Sequence, residues 1–81
     1  MTTDELASLI GKGFKGAEVY VKDLTGDGNH FEAWVVAQEF ENQNRIARHQ
    51  SVMNTVRSLL DGPLHALTIK TYTPNDWKKE I

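Results

Sequence analysis

Residues 58–72 read SLLDGPLHALTIKTY, and this stretch decides the fold because it joins a helical pattern to a strand pattern. Leading into it, residues recur at spacings of three and four, which predicts one face of a helix: Ile46, His49, Met53, Val56 and Leu60. Gly62 and Pro63 then follow in the order that ends a helix. We therefore predict a full helix that stops at Gly62, and a strand from Leu64 to Tyr72 with His65 near its start.

Two earlier strands are predicted from alternation with a period of two. Between residues 17 and 24 the apolar set on one face is Ala17, Val19 and Val21. After residue 30 the corresponding set is Phe31, Ala33, Val35 and Ala37. Residues 25–29 read TGDGN, which is strong turn chemistry. The two strands are therefore expected to form a hairpin, with His30 at the start of its second strand.

Shorter helical signals lie at both ends of the chain and after the hairpin. Thr3 can cap a first helix, whose apolar stripe is Leu6, Leu9 and Ile10. Residues 40–44 predict a short polar turn or a single helical turn. Near the C-terminus, Pro74 stands at the first position of a capped final turn that includes Trp77.

The resulting order is αββααβα, an α+β arrangement. A helical crossover between the second and third strands suits parallel neighbours, because parallel strands cannot be joined by a tight turn. We therefore predict a three-stranded mixed sheet with helices on one face. A chain of 81 residues supports one core, so residues 1–81 are expected to form a single domain.

The composition excludes several classes of protein. With 40% hydrophobic and 25% charged residues, the chain has the make-up of an ordinary soluble domain. No apolar run approaches the roughly 18 residues that span a bilayer, and the N-terminus has no signal-peptide pattern. We expect a cytoplasmic protein, or an organelle-lumen protein whose transit peptide has been removed.

The absence of cysteine and the net charge limit the kinds of binding site that the chain can form. The chain has no cysteine, so it can supply neither a disulfide nor a thiolate. A metal site must therefore use histidine, carboxylate or ligands from a partner. A net charge of −2 offers no general attraction to phosphate backbones, so nucleic-acid binding would need a local patch.

His30 and His65 are the candidate metal ligands. If the second and third strands are parallel neighbours, residues at their starts lie at the same end of the sheet, with the strands about 4.8 Å apart. Two neutral imidazoles could then bind one iron, zinc or copper ion. A closed metal site usually has four ligands, so two histidines alone do not complete it. The alternative is that His30 is a solvated turn residue and His65 a half-buried histidine bonded to backbone.

A group of basic residues could form a docking surface for a partner: Arg45, Arg48, Arg57 and Lys70. Two of them, Arg45 and Arg48, lie near a helix N-terminus, which is unfavourable unless they meet an anion or an acidic partner. The alternative is a solvated helix face whose arginines pair with Glu39 or Glu41.

Two further sets of residues have competing interpretations. His49 lies within the predicted apolar stripe, so a packed, hydrogen-bonded histidine is favoured over a third metal ligand. Tyr72 and Trp77 either form an exposed anchor for a partner or pin the last helix to the core.

Residues 13–16 read GFKG and match the GxxG pattern with which KH domains clamp a nucleic-acid backbone. They lie between the first helix and the first strand, whereas a KH clamp belongs between the two middle helices. At that place the chain has ENQN, residues 41–44, which offers a carboxylate where phosphate would approach. Nucleic-acid binding of the KH kind is therefore not expected.

Ordered motifs over nearly the whole chain resemble the BolA family. They are Asp27–Phe31, Phe40, Arg45, Arg48–Gln50, Val52, His65–Lys70, Tyr72–Pro74 and Trp77. The resemblance implies a type II KH-like topology. It also implies a small domain that works as the partner of a monothiol glutaredoxin of the CGFS type.

The resemblance further implies that His65 is a ligand to a 2Fe-2S cluster bridging the two partners, with His30 as a second ligand. The glutaredoxin's cysteine and glutathione would supply the thiolates, which agrees with a chain that has no cysteine. Imidazole ligands raise the potential of such a cluster and make its ligation sensitive to pH. This favours trafficking of iron–sulfur clusters, or regulation of iron and redox status, over catalysis.

An alternative function is that of a nucleic-acid-binding transcriptional regulator. The BolA resemblance also implies proposed roles in transcription, and the middle helices could mimic a helix-turn-helix. An enzyme has little support, because no nucleophile with a base at useful spacing, phosphate loop or paired carboxylates can be identified.

Overall fold

The computed structural model describes residues 2–26, 28–59 and 66–80. Its elements, in chain order, are α1 (Thr3–Gly11), β1 (Glu18–Asp23), β2 (His30–Val36), a 3₁₀ turn (Gln38–Asn42), α2 (Arg45–Val56), a second 3₁₀ turn (Arg57–Leu59), β3 (Ala66–Tyr72) and α3 (Pro74–Glu80). The predicted order αββααβα is confirmed, with the first 3₁₀ turn as the short helical segment after the hairpin. None of the helices in these parts of the chain has the length and hydropathy needed to cross a bilayer.

The three strands form one mixed sheet in the order β1-β2-β3. β1 and β2 are antiparallel, with Glu18 opposite Val36 and Asp23 opposite Phe31. β2 and β3 are parallel, with His30 opposite Ala66 at one end of the register. The predicted hairpin and the predicted parallel crossover are therefore both confirmed.

One face of the sheet carries the core. Phe31, Ala33 and Val35 of β2 are buried there, as their alternation predicts. Helices α1 and α2 cover this face and contribute four fully buried side chains: Leu6, Ile10, Val52 and Val56. Apolar burial of this kind is the main favourable term in folding.

Trp77 of α3 contacts residues whose side chains project from the other face. Its ring stacks on Tyr20, with centroids 5.5 Å apart and planes at 17°, and lies 5.1 Å from Tyr72. The buried Thr73 begins α3, because its Oγ1 accepts a hydrogen bond from the Asp76 N–H at 3.2 Å. Trp77 thus holds the last helix on the sheet, but on the face opposite the core, whereas one of its two interpretations placed it against the core itself.

Helix α1 begins as a capping box, but Thr2 rather than Thr3 is its N-cap. Thr2 Oγ1 accepts from the Glu5 N–H at 3.1 Å, and Glu5 Oε1 accepts from the Thr2 N–H at 3.0 Å. The pair satisfies two N–H groups that have no partner inside the helix. The bond from the Thr2 N–H lowers the pKa of Glu5 below its usual value. The predicted cap at Thr3 was wrong by one residue because Thr3 already has helical geometry.

The predicted apolar stripe of α2 was partly wrong. Val56 is fully buried, but Ile46 is 71% exposed and His49 is also exposed. The row that faces the core runs through Arg48, Val52 and Val56, which are four residues apart on one side of a helix. A histidine packed inside an apolar stripe is therefore not what the structure contains.

The end of this helix also differs from the prediction. α2 stops at Val56 and continues as the 3₁₀ turn. The predicted stop at Gly62 and Pro63, and the first two residues of the predicted third strand, Leu64 and His65, lie outside the described residues.

The GFKG segment forms the turn between α1 and β1. Phe14 is buried and meets the Phe40 ring edge-to-face, with centroids 5.3 Å apart. Gly16 has φ of +69°, a conformation that favours glycine. Gly13 lies so close to α2 that a Cβ there would be 2.5 Å from Thr55 Cγ2. The two glycines therefore serve packing and turn geometry at this place.

We expect Gly13→Ala to lower the free energy of unfolding by about 1–3 kcal/mol, the usual range for forcing extra atoms into a packed contact. Adding Thr55→Ser should recover most of this loss, because serine lacks the opposing methyl. Serine also keeps the hydroxyl that donates to the Val52 carbonyl at 2.6 Å. Urea denaturation followed by circular dichroism measures the single and double variants.

Gly11→Ala is the matched control, because its Cβ would lie 3.9 Å from Val19 Cγ2, an ordinary contact. It should leave the stability unchanged or raise it. A Gly13→Ala protein as stable as the wild type would contradict the close approach between this turn and α2.

Candidate functional site

His30 is the first residue of β2, and its side chain is exposed. Its backbone carbonyl accepts a hydrogen bond from the Leu24 N–H at 2.8 Å, which closes the hairpin at this end. Its neighbour in β3 is Ala66, the residue that follows His65 in the chain. His65 itself lies outside the described residues, so the predicted pairing of the two histidines stays a prediction.

The loop that precedes His30 is held by the carboxylate of Asp23. Oδ1 accepts from the Gly26 N–H at 2.9 Å and the Thr25 N–H at 3.3 Å, while Oδ2 accepts from the Gly28 N–H at 2.8 Å. Gly26 and Gly28 both have φ of +76°, which most other residues adopt only with strain. The predicted turn is therefore present, and one side chain organises its backbone.

Asp23 was not among the site residues predicted from the sequence. A signal was available, because an aspartate at the end of a strand and just before glycines commonly accepts bonds from the following backbone. The loop is tied to β3 as well, since the Ala66 N–H donates to the Asn29 carbonyl at 3.1 Å. Backbone bonds on both sides thus fix where His30 leaves the sheet.

The donor chemistry around His30 fits a metal site that two proteins share. Within residues 2–26, 28–59 and 66–80, no group of three or more His, Asp or Glu side chains could hold a metal ion. An exposed imidazole at a sheet end can supply one nitrogen ligand to iron, zinc or copper. The remaining ligands must come from elsewhere, and thiolates must come from another molecule because the chain has no cysteine.

The predicted basic residues have different environments. Arg45 is exposed at the start of α2. Arg48 is partly buried, its Nε donates to the Phe40 carbonyl at 3.0 Å and the Gln43 carbonyl at 2.9 Å, and its guanidinium lies over the Phe40 ring. Arg57 Nη2 donates to Asn54 Oδ1 at 2.8 Å. Arg48 therefore ties α2 to the preceding 3₁₀ turn, a role that the sequence analysis did not foresee.

Lys70 lies on the face of the sheet opposite the core. Its Nζ is 3.0 Å from Glu32 Oε1 and 5.8 Å from the centroid of the Trp34 ring. The hydrogen bond to Glu32 raises the pKa of Lys70 above its usual value. Lys70–Glu32 is the only ion pair within residues 2–26, 28–59 and 66–80. No arginine in these residues forms an ion pair with Glu39 or Glu41. The alternative in which the arginines pair with Glu39 or Glu41 is therefore not what the described residues show.

His49 lines a groove of about 350 Å³ between α2 and β3. The other lining residues are Arg45, Ile69, Lys70, Thr71 and Tyr72. Ile69 is the register partner of Ala33 in β2. Ala33 follows His30 by three residues, so His30 lies about 10 Å along the sheet from this part of the groove. The structure thus brings Arg45, Lys70 and His49 together at one groove, and places His30 farther along the sheet.

Comparison with known proteins identifies relatives over most of the chain. A family model described as BolA-like protein matches residues 12–76. Acid stress protein IbaG of Escherichia coli (strain K12) is 31% identical over 81 residues, covering 99% of this chain and 93% of that protein. The DNA-binding transcriptional regulator BolA of Haemophilus influenzae is 31% identical over 55 residues, covering 68% of this chain and 53% of that protein.

A solved structure of a BolA protein homologue from Coxiella burnetii is similar to the whole domain. Its TM-score is 0.82, its sequence identity is 37%, and the match covers 96% of this chain and 97% of that chain. The likeness therefore includes the mixed sheet and the helices on it.

Replacing Asp23 with alanine should loosen the loop before His30. Three backbone N–H groups lose their acceptor, and each lost bond is worth about 0.5–1.5 kcal/mol net, more where a charged group accepts it. We expect amide exchange at Gly26 and Gly28 to accelerate by about tenfold, the equivalent of 1.4 kcal/mol. NMR hydrogen exchange measures this.

Lys22→Ala is the control for Asp23→Ala, because Lys22 is an exposed neighbour in β1. It should leave both glycine amides unchanged. Equal exchange rates in wild type and Asp23→Ala would contradict the loop anchor.

Arg48→Met and Arg45→Met each remove one charge from α2, but only the first leaves backbone carbonyls without their donor. Arg48→Met should lower the free energy of unfolding by about 1–3 kcal/mol. Arg45→Met should stay within about 0.5 kcal/mol, as exposed substitutions usually do. Urea titrations compare them, and equal stabilities would show that the Arg48 contacts contribute nothing.

Proposed function

Because the chain belongs to the BolA family, we propose that it is the partner of a monothiol CGFS glutaredoxin and helps to hold a bridging 2Fe-2S cluster. In this proposal the chain supplies imidazole nitrogens from His30 and His65. The glutaredoxin's cysteine and glutathione supply the thiolates. The role is trafficking of clusters or regulation of iron and redox status, with no enzymatic step of the chain's own.

The observation that carries the proposal is the register of the parallel pair. His30 begins β2 directly beside Ala66, and Ala66 is the residue after His65. Neighbouring strands are about 4.8 Å apart, a spacing at which two ligands can meet one iron. The exposure of His30 supports the proposal, because a ligand to a shared cluster must be reachable by the second protein.

The missing cysteines give independent support. Iron–sulfur clusters are held mainly by thiolates, and this chain has none to offer. A cluster bound by the chain alone would therefore be short of its usual ligands. When bound, such a cluster would have a raised reduction potential on the iron held by imidazoles.

The chain's own contributions are orientation and sensitivity to protons. The Asp23 anchor and the Asn29 to Ala66 backbone bond set the position from which His30 reaches outward. A histidine binds metal only when its ligating nitrogen is deprotonated, so the binding of a cluster through histidine depends on pH. Arg45 and Lys70 are the exposed cations proposed to contact an acidic face of the glutaredoxin. Arg48 belongs to the same predicted surface, although its Nε is already bonded to backbone carbonyls.

The test is anaerobic reconstitution with a CGFS glutaredoxin, glutathione, iron and sulfide, followed by visible circular dichroism. The mixture should give a spectrum distinct from that of the glutaredoxin homodimer. His65→Ala should abolish or severely weaken it, whereas His30→Ala should keep it but lose iron to a chelator about tenfold faster, at the low end of the 10–100-fold effects seen around metal sites.

His49→Ala is the matched control, since His49 lies at the groove about 10 Å along the sheet from His30. It should leave both spectrum and chelation rate unchanged, and thermal unfolding should show all three variants folded. A wild-type spectrum in His65→Ala removes that residue from the proposal, and equal chelation rates remove His30.

A second candidate is a nucleic-acid-binding regulator, because a relative from Haemophilus influenzae carries that description. The net charge of −2 argues against strong non-specific affinity. Anisotropy of a labelled DNA duplex at 50 and 200 mM salt separates the candidates. Phosphate-driven binding should weaken steeply with salt and need no glutaredoxin.

A further inference from the structure

The outer edge of β3 is an unpaired edge of the sheet. β3 is the last strand in the order β1-β2-β3, so it pairs on one side only. Every residue of β3 is exposed or intermediate, whereas β2 contains four buried residues. Unpaired strand edges are the places where a further strand can add.

The pairing with β2 shows which residues have outward backbone groups. The Ala66 N–H donates to the Asn29 carbonyl at 3.1 Å, and the Tyr72 carbonyl accepts from the Ala37 N–H at 3.1 Å. Even-numbered residues of β3 therefore bond toward β2. Because successive residues alternate, Leu67, Ile69 and Thr71 direct their N–H and C=O groups away from the sheet.

These groups have no hydrogen-bond partner elsewhere in residues 2–26, 28–59 and 66–80. The strand also lacks most of the devices that protect an edge. Its register with β2 is continuous over seven residues, without a bulge, and the strand contains no proline. A single lysine, Lys70, is the protective charge, and it is paired with Glu32. The edge is therefore regular enough, and long enough, to accept a further strand.

The groove between α2 and β3 gives this edge its chemical character. Ile69 and Thr71 point to the core face and Lys70 to the other face, so a groove lined by all three borders the free edge. Its lining carries the exposed Arg45, which has no ion pair within the described residues, together with His49 and no carboxylate, whereas the charge of Lys70 is paired with Glu32. Asp76 and Glu80 line an adjoining cavity that shares Arg45, Thr71 and Tyr72 with this groove. An occupant with carboxylates therefore complements the groove.

A second copy of the chain is a poorer occupant. Edge-to-edge pairing of two copies follows a two-fold axis, so each residue of the patch meets the same patch on its partner. The cations Arg45 and Lys70 of both copies would then be drawn together, and like charges in a strand pair destabilise it.

We propose that the free edge of β3 takes up an extended acidic segment of a partner protein as a fourth strand. The backbone of the segment bonds to Leu67, Ile69 and Thr71, and its carboxylates lie near Arg45 and His49 on the side of the strand that faces α2. Arg45 and Lys70 of this groove also belong to the surface proposed to contact the glutaredoxin, but the site does not include the proposed cluster ligand His30 and requires neither metal nor glutathione. It can therefore fail while the proposed function holds, and the reverse is also true.

The test uses a labelled heptapeptide of alternating glutamate and valine as the probe, with binding followed by fluorescence anisotropy. Two further probes carry N-methyl groups on all valines or on all glutamates, so that each blocks the amides of one peptide edge. Strand addition uses one edge only, and so one methylated probe should lose at least tenfold in affinity while the other keeps its affinity. Loss in both probes, or in neither, overturns the proposal.

The charge contribution is tested with Arg45→Glu. The matched control is Arg57→Glu, because Arg57 is also exposed but lies on the second 3₁₀ turn outside the groove. Arg45→Glu should weaken binding about tenfold at low salt, and less at high salt because of screening. Arg57→Glu should not. Equal effects of the two variants overturn the acidic assignment.

NMR chemical shifts locate the probe. The amides of Leu67, Ile69 and Thr71 should shift most, and their hydrogen exchange should slow when the probe is bound. Shifts confined to other parts of the chain overturn the proposed site. Sedimentation of the free protein is the last measurement, and a concentration-dependent dimer in which the amides of Leu67, Ile69 and Thr71 are protected from exchange would assign the edge to a second copy instead.

Discussion

The parallel pairing of β2 with β3 is the constraint on which the rest of the structure depends. Parallel neighbours need a long crossover, and this requirement places α2 over the sheet, where Val52 and Val56 complete the core. The same register sets His30 beside the first residue of β3 and leaves the far side of β3 unpaired. The ligand end and the open edge are therefore both consequences of one pairing.

Periodicity predicts the sheet well because burial in this domain follows the simple alternation of a strand with one covered face. Phe31, Ala33 and Val35 are buried as their spacing requires. The same reasoning failed in α2, where Ile46 is 71% exposed. A helix can bury several different rows of residues, and the row in contact is set by the sheet beneath it. Sequence spacing alone does not contain that information.

The candidate site was predictable where it depends on residue type, and unpredictable where it depends on backbone acceptors and donors. Histidine at the start of a strand can be seen in the sequence, and His30 is there. The anchoring role of Asp23 and the bonds from Arg48 to the Phe40 and Gln43 carbonyls depend on where main-chain groups lie in space. Charge made Arg48 look like a docking residue, whereas a folded chain uses its guanidinium as a multiple donor.

The two ends of the described β3 strand have different chemistry, and this separation matters for binding. Ala66 lies beside His30, whose exposed imidazole follows a loop that backbone hydrogen bonds hold in place. Residues Ile69 to Tyr72, in contrast, border the groove that contains Arg45. A partner that touches only the first end depends on metal and on the proton state of histidine. A partner that adds along the edge depends on backbone pairing and on salt. The two ends therefore make different physical demands: cluster binding depends on the imidazole of His30, and strand addition depends on the main-chain groups of Leu67, Ile69 and Thr71, although both partners would meet the cations of the groove.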